Sequence, residues 1–357
     1  MVKSNEYGLE YCPMCWNNNY NETNIKNWFN ANSSSKHLLA FNEPNLTDQA
    51  NMTPSVAAGY WTKIKNLAKD CHVKLVSPAM NWGTLNGYND PVKWLNDFFN
   101  QSAVSVNDVD AIAMHNYMTS AAALMGDIAK YKIFGKKIWL TEFSHYHVGS
   151  YDGQMTFMSQ CINALEKDDD VERYAWFIPR GNQALTQEPY VQLLTKGSNA
   201  TLSDLGKVFT QLSTFDKTAV YPMNARIPAA HYADCSIDGS YKSVTLIPST
   251  DDDGIAVVQG LAKDMWMDYQ VNFTAATGKI HIRYATVRDS ELSLYTVDAG
   301  GNEGSTPFAV VSLPRTGDAA TWVTAEAAAN YPTGTQMVRV ECSKGNVRVN
   351  WIDFTTR

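Results

Sequence analysis

Residues 37–45 read HLLAFNEPN, an apolar run of strand character that breaks into Asn42, Glu43, Pro44 and Asn45. Continuous apolar strands belong to parallel sheets buried on both faces, so a carboxylate set between two amides at the end of one needs a reason. Pro44 supplies it, because proline cannot continue a hydrogen-bonded ladder and redirects the chain. The stretch therefore predicts a buried strand whose end holds Asn42 and Glu43 rigidly over a cleft.

Similar runs lie on both sides of it. YGLEYCPMCW (7–16), VKLVSPAMNW (73–82), DAIAMHNY (110–117), KKIWLTEFSHY (136–146) and RYAWFIPR (173–180) alternate with amphipathic helical stretches at 54–71, 91–102, 120–134 and 152–168. Buried strands separated by helices predict an α/β domain over residues 1–214, either a barrel or a doubly wound sheet. Polar and aromatic residues gather at nearly every strand end: Trp16, Asn42 and Glu43, Asn81 and Trp82, His115 with Asn116 and Tyr117, Glu142, and Trp176 with Arg180. A doubly wound sheet concentrates such groups at one switch point, beside a glycine-rich phosphate loop that is absent here. A (β/α)8-type barrel collects them from many strands onto one rim, and the distribution favours it.

From residue 225 to 357 the texture changes. Alternating strands with turn signals, such as WMDYQVNF, KIHIRYATV and NVRVNWIDF, run without a helix of useful length between them. They predict an antiparallel β-sandwich, reached through STFDKTAVYPMNARIP (213–228).

Bulk properties exclude several function classes. A net charge of −7 with no run of Lys and Arg gives no attraction to nucleic acid or anionic lipid. No apolar run is long enough to span a bilayer, and the opening MVKSNEYGLEY lacks the apolar core of a signal peptide. Six cysteines are too few for a disulfide scaffold at 357 residues, and CPMC (12–15) has no second pair to complete a zinc site. Pairing of Cys235 with Cys342 is left open.

Two glutamates on the rim, Glu43 and Glu142, carry the chemistry. Cleaving a glycosidic bond needs one carboxylic acid to protonate the leaving oxygen and one carboxylate to attack or to activate water. The bland alternative is that each pairs with a neighbouring cation or caps a helix. Aromatic residues make up 11% of the chain, and their flat faces suit sugar rings, which favours the carbohydrate reading.

LLAFNEPN followed by WLTEF, with YCPMCW, VSPAMNW, AMHNY and RYAWF in order, resembles glycoside hydrolase family 128, (β/α)8 barrels of the large retaining clan that cut β-1,3-glucans. The resemblance implies Glu43 as general acid/base and Glu142 as nucleophile, with no cofactor for catalysis. It implies Asn42 against the sugar 2-hydroxyl, His115 and Tyr117 ordering nucleophile and sugar, Trp176 as the platform under the reacting sugar, and Trp16 and Trp82 along neighbouring subsites. Counted against the family, HLLAFNEPN is the fourth strand, so six of eight strands are expected here. The barrel is then completed by a preceding piece or a second copy, or the chain is a non-catalytic glycan-binding protein. A clan relative acting on another β-linked polysaccharide is the further alternative.

IPAAHYADCS, DMWMDYQVNF, SLPRTGDAATW and NVRVNWIDF resemble carbohydrate-binding module family 6. That resemblance implies glycan binding, with Tyr241, Trp322 and Asn346 as candidates by their chemistry, and a structural calcium with Asp353 as a ligand. Ala230, His231 and Tyr232 stand where the family usually starts with acids. The expected partner is β-glucan, with no nucleic acid and no membrane, and the expected location is secreted or periplasmic, the leader lying outside this chain.

Overall fold

Five parallel strands form the sheet of the first domain: β1 (His37–Leu39), β2 (Lys74–Val76), β3 (Ala111–Asn116), β4 (Lys137–Phe143) and β5 (Val171–Trp176). They lie in sequence order, each beside the next. The computed structural model describes residues 4–145, 148–181 and 190–356; Tyr146, at the end of one predicted strand, lies outside them. Strand β3 is buried along its whole length, as its unbroken apolar sequence requires. Its pairing with β4 shifts between Met114 and His115, which brings His115 opposite Glu142.

Five of the six predicted strands appear. A 3₁₀ turn, Ser4–Tyr7, leads into YGLEYCPMCW, whose pairing is a single parallel bridge, Met14 to Leu39. Leu39 N–H donates to Pro13 O and Cys15 N–H to Leu39 O, both at 2.9 Å. Pro13 has no N–H to extend the ladder, so this segment lies beside β1 without becoming a full strand. Among the described residues β1 and β5 are not paired with each other, so the sheet is an open half-barrel. Glu10 links the two edges instead: its carboxylate meets His37 Nδ1 at 2.8 Å and Arg173 Nη1 at 2.7 Å.

Helices α1 (Glu22–Ala31), α2 (Pro54–Asp70), α3 (Pro91–Phe99) and α4 (Ala121–Tyr131) intervene. Thr53 and Asp90 cap α2 and α3, each with proline in the first turn, where its missing N–H costs nothing. Helix α1 was not anticipated, because only Ile25 and Phe29 of its face are buried, too few to mark a period.

Packing divides the chain into two units, residues 1–117, 124–143 and 168–176, and residues 118–123, 144–167 and 177–357. The second unit contains α5 (Tyr151–Glu166), α6 (Asp204–Phe209) and the β-sandwich. One sheet of the sandwich runs β15-β12-β17-β10-β9 with β7 beside β17; the other runs β14-β13-β16-β11-β6 with β8 beside β11. These strands are β6 (Val220–Pro222), β7 (Ile227–Pro228), β8 (Asp234–Cys235), β9 (Thr245–Pro248), β10 (Ala256–Ala262), β11 (Trp266–Phe273), β12 (Thr277–Ala285), β13 (Ser290–Val297), β14 (Ala309–Leu313), β15 (Val323–Asn330), β16 (Gly334–Lys344) and β17 (Asn346–Thr355). Pairing is antiparallel except for β11 with β6.

Helix α5 is seated here by buried polar contacts. Asn163 Nδ2 donates to Ser243 Oγ at 2.9 Å, and Tyr232 O–H donates to Asn163 Oδ1 at 2.8 Å. Ser159 Oγ accepts Leu246 N–H at 3.1 Å. Cys235 and Cys342 are free thiols. Across β11 and β16, Asp268 and Arg339 form a buried two-point ion pair, both bonds 2.9 Å, with the guanidinium stacked 3.6 Å from the Trp266 ring centre.

Arg339→Met leaves the Asp268 carboxylate buried without its cation, an expected loss of about 3–5 kcal/mol, read as a lowered denaturant midpoint. In the first unit, burial raises the Glu10 carboxyl, but hydrogen bonds from His37, the Lys36 N–H and Arg173 outweigh it and hold its pKa at about 2 against an ordinary 4.5. A depressed folded pKa stabilises above the unfolded value, and that contribution is lost as pH falls from 4.5 toward 2. Glu10→Gln should therefore melt lower than wild type at neutral pH, with the difference closing across that interval when both are melted at stepped pH.

Candidate active site

Beyond β1 the chain enters Glu43 in the left-handed region, φ +43°, a conformation that costs a non-glycine residue about 1–3 kcal/mol. The surrounding backbone enforces it. Asn42 N–H donates to Trp16 O at 2.9 Å, Glu43 N–H to Ala79 O at 2.8 Å, and Leu46 N–H to Glu43 O at 3.0 Å. After Pro44 the loop is tied down by Met52 N–H to Pro44 O at 2.7 Å. The neighbouring loop reaches this turn only because residue 83 is glycine: a Cβ there would lie 2.6 Å from Asn45 O.

The Glu43 side chain is buried, and its Oε1 accepts from Asn81 Nδ2 at 2.9 Å and lies 2.8 Å from His115 Nδ1. Nδ1 also stands 3.5 Å from Glu142 Oε2, and Tyr117 O–H donates to that oxygen at 2.5 Å. One oxygen of each glutamate and the imidazole nitrogen all fall within 4.8 Å of one another. The pair is asymmetric, because the Glu43 side chain is 8% exposed and that of Glu142 26%. Arranged in this way, one carboxyl can hold a proton in a sheltered place while the other faces an incoming molecule. A cavity of about 280 Å³, lined by Met14, Leu39, His115, Trp139, Glu142 and Tyr174 among others, adjoins Glu142.

The structure thus brings together Glu43, Glu142, His115 and Tyr117. Asn42 is buried beside them with its amide 3.3 Å from Gln49 Oε1. Trp176 is buried and packs edge-on against Phe143, ring centres 5.0 Å apart. Trp16 and Trp82 are half-exposed, and Lys130 Nζ covers one face of Trp82, 4.7 Å from its centre. Asn81 was legible as a strand-end amide, but its contact with Glu43 was not. Gln49 and Glu10 had no motif to mark them.

In the sandwich, Trp322 Nε1 donates to Thr250 Oγ1 at 3.0 Å, Tyr241 takes a left-handed backbone at φ +62°, and Asn346 begins β17. Calcium requires six to eight oxygen ligands. Asp353 meets His281 Nδ1 at 2.7 Å, and His281 Nε2 faces Glu326 at 3.2 Å. Among the described residues neither convergent group of His, Cys, Asp and Glu ligand atoms includes Asp353.

The pattern of the family described as Glycosyl hydrolase catalytic core matches residues 1–209, and that of Carbohydrate binding module (family 6) matches 236–356. A GH128 (subgroup II) endo-β-1,3-glucanase from Pseudomonas viridiflava is 35% identical, with 57% of this chain and 80% of that one covered and a TM-score of 0.51. The corresponding enzyme from Sorangium cellulosum is 30% identical over 58% of this chain and 82% of its own, TM-score 0.50. Alkali-sensitive linkage protein 1 of Schizosaccharomyces pombe is 31% identical over 150 residues, 40% of this chain; the match spans only 27% of the yeast protein. The chain therefore belongs to the glycosyl hydrolase catalytic-core family, its half-barrel resembling GH128 endo-β-1,3-glucanases and its C-terminal sandwich matching the pattern of family 6 carbohydrate-binding modules.

Proposed function

We propose that this chain is a retaining endo-β-1,3-glucanase in which Glu142 is the nucleophile and Glu43 the acid/base. The observation that carries the reading is the convergence of both carboxylates on one imidazole, with their facing oxygens within 4.8 Å. Retaining enzymes hold the two carboxyl groups roughly 5–5.5 Å apart, whereas inverting ones leave about 6.5–9.5 Å for a water. The β-1,3 linkage rests on the GH128 relatives.

In the first half of the reaction Glu142 attacks the anomeric carbon while Glu43 gives its proton to the departing glycosidic oxygen. The products are a glycosyl ester on Glu142 and a free chain end. In the second half Glu43, now ionised, takes a proton from water; the resulting hydroxide oxygen displaces Glu142 and restores both side chains. The two partners of Glu43 occupy Oε1, which leaves Oε2 for the travelling proton. Tyr117 holds Glu142 as an oriented carboxylate. Asn42 is assigned to the sugar 2-hydroxyl, Trp176 to the platform, and Trp16 and Trp82 to flanking subsites. The C-terminal module holds the polymer, with Trp322, Tyr241 and Asn346 as its contacts. A polysaccharide substrate places the working protein outside the cytoplasm.

The open sheet favours a second reading, a non-catalytic glycan-binding protein, since strands β1 and β5 are not paired with each other among the described residues. Reducing-sugar release from linear β-1,3-glucan, with mixed-linkage glucan and xylan in parallel, separates the two. Release from β-1,3-glucan that disappears in Glu142→Gln supports the enzyme. Glucan binding without release from any substrate supports the binder, and release from xylan alone moves the enzyme to another linkage. Glu43→Gln should lose about 10²–10⁴-fold on poor leaving groups and far less on an activated aryl glycoside, which needs no proton; equal losses on both would remove Glu43 from the acid role.

A further inference from the structure

Two clusters of described side chains bring three metal-ligating atoms within 4.8 Å: Glu10–Cys12–His37 and Glu43–His115–Glu142. They differ in what already balances their charge. Glu10 accepts Arg173 Nη1 at 2.7 Å, the Lys36 N–H at 2.6 Å and His37 Nδ1 at 2.8 Å. Its cation is in place, and burial pushes the Cys12 thiol up to about 12, so that thiol keeps its proton. At the second cluster both carboxylates face the same His115 nitrogen. Among the described residues neither is ion-paired with a lysine or an arginine.

From this contrast we infer that Glu43, His115 and Glu142 form a binding site for a divalent transition-metal cation such as Zn²⁺, and that its occupancy blocks the hydrolytic site. Two carboxylate oxygens and one imidazole nitrogen at this spacing supply three protein ligands. The exposed side of Glu142 leaves the fourth position to water, the arrangement of an open zinc site. Imidazole selects Zn²⁺ and Cu²⁺ over Mg²⁺ and Ca²⁺, which take oxygen ligands. Coordination needs the lone pair of His115 Nδ1, so the ring proton must reside on Nε2; that atom is buried with no hydrogen-bond partner among the described residues. No net proton leaves the ring in this tautomer shift. Asn81 and Tyr117 become outer donors that orient the two carboxylates. Metal binding does not depend on the proposed glucanase activity, whereas the block does: a cation on both carboxylates removes the nucleophile and the acid together.

Calorimetric titration of the full chain with ZnCl₂, and with MgCl₂ in parallel, tests the site. Zinc should bind one per chain while magnesium gives no comparable heat. The affinity should fall by at least about tenfold in Glu142→Gln, which keeps the side-chain shape, and in His115→Asn if circular dichroism shows it folded. Cys12→Ser should bind zinc like wild type. On β-1,3-glucan oligosaccharides zinc should lower kcat, because the metal-loaded chain has neither nucleophile nor acid free, with full recovery on chelation. No zinc binding, loss in Cys12→Ser with retention in Glu142→Gln, or turnover unaffected at saturating zinc would each overturn the inference. Zinc binding with the expected variant pattern in a chain that hydrolyses no glucan even after chelation would uphold the metal site and sink the glucanase reading.

Discussion

The candidate site depends on one constrained turn, the left-handed backbone of Glu43 at the end of β1. A residue with a Cβ does not adopt this conformation without support. The support comes from three places: Trp16 and Ala79 fix the backbone from the two flanking segments, and the Gly83 loop closes over the turn. That turn fixes the Glu43 backbone, and from it Oε1 meets Asn81 and His115 at hydrogen-bond distance. Everything assigned to the site, including the spacing to Glu142, is measured from that fixed oxygen.

His115 is the second member of the construction. It follows directly after a register shift between β3 and β4, and such shifts re-aim side chains beside functional sites. Without the shift its ring would face away from Glu142. With it, one nitrogen stands between two carboxylates whose mutual repulsion is otherwise unrelieved by lysine or arginine among the described residues. The same local charge that suits acid/base chemistry also suits a small divalent cation, so the proposed hydrolysis and the proposed metal binding draw on one electrostatic feature.

Elsewhere, buried polar groups are kept in matched sets. Asp268 and Arg339 satisfy each other and stack on Trp266; Asn163 uses both ends of its amide within the second unit. Losing one partner costs about 1–3 kcal/mol for a buried neutral group and about 3–5 kcal/mol for a buried ion pair, so these sets specify the packing of α5 and of the sandwich. Glu10 plays a related part in the first unit, where it joins His37 of β1 to Arg173 of β5.

Much of this was legible in the residues. Apolar runs ending in Asn-Glu-Pro and Thr-Glu-Phe marked the strands and named both glutamates, because strand burial and chain reversal at proline are local properties. The helical stretches at 54–71 and 91–102 and the change to alternating strands after residue 225 were local too. What the chain order could not state was which strand ends converge, since Glu43 and His115 lie 72 residues apart and meet only through a sheet register with a shift in it. Nor could it state that YGLEYCPMCW stops at a single bridge, that Asp353 turns to His281, or that α5 packs with the sandwich. Residue types and short-range periodicity determined the elements and the chemistry available. Tertiary structure decided which of those groups touch, because contact between distant side chains depends on register, twist and burial summed over the whole sheet.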